Sequence, residues 1–119
     1  MAKNDMEVIM YKILRYLYEC MKYDIEPDLQ KYAWKSDLFD VPKGYWCKII
    51  CILVEKKLIT GFSVIKSKDG TQVQLESTVE ITYEGREFLR DNSGMKKAEE
   101  FCKDTFDTIL SSALGLITL

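Results

Sequence analysis

Residues 81–89 read Ile-Thr-Tyr-Glu-Gly-Arg-Glu-Phe-Leu, ITYEGREFL, and the period of the chain changes inside them. Upstream, Val73, Leu75, Val79, Ile81 and Tyr83 keep odd parity, the alternation of a half-buried strand. Downstream, Phe88 and Leu89 fall at helical spacing from Ile81 and Gly85. A chain that leaves a sheet and enters a helix within one residue needs a cap at the junction. Thr82 can supply it, with Glu84 in the first turn of a helix that begins at Tyr83. Gly85 would let that helix sit close to its neighbour.

Working upstream, Phe62–Lys66 and Thr71–Leu75 are strand-like and flank Ser67-Lys68-Asp69-Gly70, and Asp-Gly in such a setting signals a hairpin. Ser77 and Thr78 interrupt the alternation before it resumes at Val79. Further back, Asp40-Val41-Pro42 announces a helix running to about Lys57. Trp46, Ile49, Ile50, Leu53 and Val54 form its core stripe, with Trp46 expected to anchor it against the first helix. Lys43, Gly44, Cys47, Lys48, Cys51 and Glu55 make up its other face. Residues 5–23 form an amphipathic first helix, capped by Asn4 or Asp5, on which Met6, Ile9, Met10, Ile13, Leu14, Leu17 and Met21 recur at helical steps. Between these helices, Asp24–Ser36 is a connection with at most short helical turns, and Ser36–Phe39 is a short helix or turn.

Downstream of the quoted stretch, Asn92-Ser93-Gly94 breaks the helix and a last one starts near Met95. Cys102, Phe106, Ile109, Ala113 and Leu116 step along it by four, three, four and three residues, a heptad seam, widened by Phe101, Leu110, Leu114 and Ile117. Such a stripe must be covered. It is expected to form a homodimer interface; the alternative is that it folds back on the first helix, where Tyr11, Tyr16 and Tyr18 can receive it.

With 119 residues, 47% of them apolar and 12% aromatic, the chain suits one compact α+β domain: residues 1–94 as a unit, with residues 95–119 as its C-terminal helix. A net charge of −2 excludes a uniformly basic surface. No apolar run approaches the ~20 residues of a membrane span and no leader pattern opens the chain, so it is expected in the cytoplasm. Cys20, Cys47, Cys51 and Cys102 read as reduced, small apolar fillers. The chain has no histidine, which argues against a metal site and against nucleophile–histidine catalysis, and no phosphate-binding loop appears. No cofactor, no small-molecule substrate and no enzymatic activity are expected.

Helix, short helix, longer helix, hairpin and capped helix is the order of a winged helix. The chain resembles the YjcQ-like family of small Firmicute and prophage proteins through Tyr11–Leu14, Phe39-Asp40-Val41-Pro42 with Trp46, Leu53–Ile59 and Ile81–Leu89. The resemblance runs from about Met6 to Leu110 and implies a winged-helix fold of phage or prophage type, without an assigned activity. The loop from Asp24 to Lys35 and the apolar end from Ser111 to Leu119 depart from the family pattern.

Winged helices most often bind duplex DNA, with the third helix in the major groove and the wing on the backbone. Residues 29–60 carry six lysines against Asp37, Asp40 and Glu55. Lys43 and Lys48 on the helix, with Lys66 and Lys68 on the wing, are the candidate contacts for weak, salt-sensitive binding of double-stranded DNA. Two features oppose sequence-specific recognition: the third helix is apolar through Ile49–Val54, and no arginine lies between Lys22 and Arg86. The reading is a DNA-binding winged helix, with transcriptional regulation as its setting. The alternative is a winged-helix protein-interaction module using Cys51, Ile52 and the C-terminal stripe. A contiguous positive face would favour DNA, and a mixed or apolar one a protein.

Overall fold

The structure, a computed structural model, describes residues 1–116; Ile117 of the C-terminal stripe lies outside the described residues, as do Thr118 and Leu119. Six helices and one antiparallel hairpin make up the described fold. They are α1 (Met6–Lys22), α2 (Leu29–Tyr32), α3 (Lys43–Glu55), β1 (Ile59–Ser67), β2 (Gly70–Ile81), α4 (Tyr83–Asp91), α5 (Ser93–Cys102) and α6 (Phe106–Ala113). The spacing of apolar residues on α1 makes it the centre of the molecule, with Val8, Ile9, Ile13 and Leu14 fully buried. It packs against α3, β2, α4 and α5.

Thr82 joins sheet and helix with both halves of its hydroxyl. Its Oγ1 accepts from the Gly85 N–H at 2.9 Å, capping α4, and donates to the Lys57 carbonyl at 2.7 Å. Its own N–H donates to the Leu58 carbonyl. One side chain therefore ties the start of α4 to the end of α3. Gly85 is buried, and a methyl added there would overlap the Leu58 carbonyl, so glycine is required by close approach rather than by φ. The end of α3 that Thr82 grips is itself closed by a paired C-terminal cap. Leu58 N–H donates to Leu53 and Lys57 N–H to Val54, with Lys57 in the left-handed region at φ 59°.

The hairpin turns through Lys68-Asp69, with Ser67 paired to Gly70. Its two strands are longer than the alternation alone suggests, because Ser77 and Thr78 bulge out of β2 without ending it. Thr60 pairs with Glu80 and Phe62 with Leu75, so Gly61 alone faces the four residues between. Gly61 has φ 104°, and a Cβ there would lie 2.8 Å from the Thr78 carbonyl oxygen. Trp46 is buried, as expected, but its neighbours are on α2, the loop after it and the hairpin. Its Nε1–H donates to the Tyr32 carbonyl at 2.9 Å, and its ring centre lies 5.4 Å from that of Trp34 and 6.1 Å from that of Phe62.

The C-terminal region departs from expectation. The helix begins at Ser93, capped by the Asn92 side chain, so Gly94 lies inside α5 rather than before it. The single seam is broken at a turn over Lys103–Thr105, where Thr105 leaves helical geometry. Beyond the break the buried stripe rotates. Cys102 and Phe106 are joined by Leu110 and Leu114, while Ile109 and Ala113 are only half-buried and Leu116 is exposed. Phe106 lies against Tyr11, 5.8 Å between ring centres. Two of the proposed dimer residues, Cys102 and Phe106, are thus covered by the chain's own α1, because the turn swings α6 back onto it. Met95, Ala98 and Cys102 belong to the same core as α1, so residues 95–116 complete the domain rather than extend from it.

Candidate nucleic-acid interface

The four candidate lysines are all exposed, but each has different company. Lys43 opens α3 with its ammonium 4.9 Å from the centre of the Trp34 ring, a cation–π contact that holds it against the loop before the helix. Lys48 follows five residues later, about 140° further round the helix, so the two do not project together. Instead Lys48 shares its outward stripe with Gly44, Ile52 and Glu55. Lys66 reaches from β1 back to α3 and forms an ion pair with Glu55 at 2.6 Å. Lys68 stands in the hairpin turn next to Asp69.

Glu55 is the residue that sequence reasoning undervalued. It accepts from Lys66 and from the Cys51 thiol at 3.3 Å, and these hydrogen bonds hold its carboxyl below the usual carboxylate range. Lys66 is correspondingly raised. The spacing Cys51–Glu55 was visible as one helical turn, whereas the link to Lys66 depends on how the hairpin folds over α3. Cys47 and Cys51 are both buried, Cys47 within the core and Cys51 outside it with its thiol on Glu55, which corrects the expectation that they lie on the helix's other, outward face. Burial pushes the Cys51 thiol up, and Ile52 is half-buried against the core.

Charge is nevertheless segregated along the chain. From the start of α2 to Leu75, the last residue before the bulge, eight lysines stand against four carboxylates, whereas the remainder holds nine cations against fifteen carboxylates. Seven of those eight lysines are exposed and Lys31 is half-buried. On the hairpin, Phe62, Val64 and Lys66 lie on the face shared with Leu75, and Ser63 and Ile65 on the other. Leu75 and Ile65 are both exposed, so each face of the hairpin carries an apolar side chain.

A family model described as YjcQ protein matches residues 11–108, most of the chain. The chain belongs to the YjcQ family. No curated protein and no solved structure shows significant similarity to it. The YjcQ match takes in every element from α2 to α5, including all four candidate lysines, and ends within α6. Among the described residues no group of three or more His, Cys, Asp or Glu could hold a metal ion, and no helix is long and apolar enough to cross a membrane.

Proposed function

We infer that this YjcQ-family chain is a winged-helix DNA-binding protein whose basic half, α2, α3 and the hairpin, meets the phosphate backbone of duplex DNA. The observation that carries this reading is the charge segregation: eight lysines against four carboxylates in the unit that a winged helix turns toward DNA, within a chain that is otherwise acidic. Contact is through lysine with phosphate, sequence-tolerant and weak, because α3 offers few polar groups and no arginine to base edges. Regulation of transcription fits such a domain only with a partner or a second binding element.

Fluorescence anisotropy with a mixed-sequence duplex tests this. Binding is expected at low salt with a log–log salt slope of about −3, as for three unpaired lysines, and is lost in Lys43→Glu with Lys48→Glu. Absence of binding at low salt favours the second reading, a protein-interaction module. That reading draws on the Glu55–Lys66 pair, which cancels one wing cation and leaves a carboxylate on the same helical stripe as Lys48, two turns away, and on the exposed Ile65 and Leu75.

A further inference from the structure

The chain has three arginines, Arg15, Arg86 and Arg90, and all three line one cleft of about 270 Å³ between α1, α4 and α5. Tyr11, Tyr18 and Leu89 complete much of its wall. The three guanidinium groups are not equally engaged. Arg15 donates to Glu19 at 3.0 Å and to the Tyr11 hydroxyl at 2.8 Å, and lies 3.6 Å from Asp107. Arg90 forks onto Asp91 at 2.8 and 2.9 Å, but both side chains are exposed and such a pair is readily exchanged. Arg86 uses only its Nε, donating to the Tyr18 hydroxyl at 3.2 Å, with its guanidinium carbon 5.6 Å from the Tyr18 ring centre. Among the described residues its two Nη groups meet no protein acceptor.

Arg86 and Arg90 are four apart on α4, where like charges repel on one helical face. An oxyanion between them removes that repulsion and fills the unused fork. The cleft's own carboxylates do not take this place. Glu19 is held by Arg15 and Lys22, and Glu99 has no described ion pair with Arg86. We propose that this cleft binds a small oxyanion ligand, a phosphate monoester or a carboxylate, gripped by Arg86 and Arg90, with the Tyr18 hydroxyl holding Arg86 through its Nε. The volume admits one anionic group on a small body, and the tyrosines favour a body with a planar apolar face.

The test is an NMR titration of the full chain, following the arginine Nε–Hε signals, with inorganic phosphate, phenyl phosphate and benzoate at ionic strength held constant by chloride. Saturable shifts of Arg86 and Arg90 are expected with at least one of the three. Saturation with phosphate and phenyl phosphate alone assigns a phosphate ligand, and saturation with benzoate a carboxylate. Affinity should fall about tenfold in Arg86→Gln and in Arg90→Gln, and stay unchanged in Lys97→Gln, an exposed position of α5 outside the cleft. The backbone spectrum of each variant reports whether it folds, and Arg90→Gln, at an exposed position, keeps the test open if Arg86→Gln does not. Shifts that remain linear to roughly 20 mM with all three anions, or equal affinity in a folded Arg86→Gln or Arg90→Gln variant, would overturn the proposal.

Discussion

Lys57 occupies a conformation that costs an L-residue about 1 kcal/mol, and the fold keeps it there because the cap of α3 and the Thr82 anchor both depend on that turn. Lys57→Gly relieves the strain and should raise stability by roughly 0.5–1 kcal/mol, read as a higher urea midpoint. An unchanged or lower midpoint would show that φ there is not strained. Trp46 is the opposite case, a large side chain with a buried N–H already paired to Tyr32. Trp46→Ala should cost about 3–5 kcal/mol, enough to unfold much of a domain of ordinary stability. A melting temperature within a few degrees of the parent would contradict its place in the core. Of these two residues only Trp46 was legible beforehand. Its size and its position on the helical stripe announced burial, whereas nothing in Glu55-Lys56-Lys57-Leu58 marks a left-handed lysine.

At the scale of elements, α1, α3, the hairpin and the Thr82-capped α4 follow from short-range chemistry: apolar spacing, a proline, an Asp-Gly and a capping threonine. These signals act within a turn or two and so survive in a bare sequence. The C-terminal seam was read as one helix where the chain forms two, and a heptad pattern is indifferent to where its partner lies. Lys103–Thr105 breaks the helix only in the context of an α1 face that α6 can reach. Leu110 and Leu114, not Ile109 and Ala113, are the residues that this turn buries. Truncation after Asp107 should therefore lower the melting temperature by many degrees, since two buried leucines leave the core. A truncated chain that keeps its melting temperature but loses a dimer mass in light scattering would contradict the fold-back and restore the interface. The arginine cleft was equally hidden, because Arg15 meets Arg86 and Arg90 only through the packing of α1 on α4.

Across the whole molecule, burial and charge distribution set how the fold responds to pH and to a polyanion. Burial raises Tyr11, Tyr16 and Tyr32 above their ordinary 10.0 and Cys20, Cys51 and Cys102 above 9.0. The unfolded chain ionises these groups first, so their contribution is complete below those ordinary values and is lost as pH rises through the folded ones. Lys12, lowered by burial, acts in the opposite sense below 10.5 and is outnumbered. The urea midpoint should fall between about pH 8.5 and 11, and a flat midpoint over that range would contradict the buried tyrosine and cysteine environments. The basic half is the surface proposed to meet DNA, and backbone amide shifts of the full chain titrated with a mixed-sequence duplex report on it residue by residue. Saturating shifts are expected on the first turns of α3, around Lys48 and along the hairpin from Val64 to Val73, vanishing as salt approaches roughly 0.2 M. Absence of any shift at low salt, or shifts confined to α1, α4 and α5, would contradict that proposal.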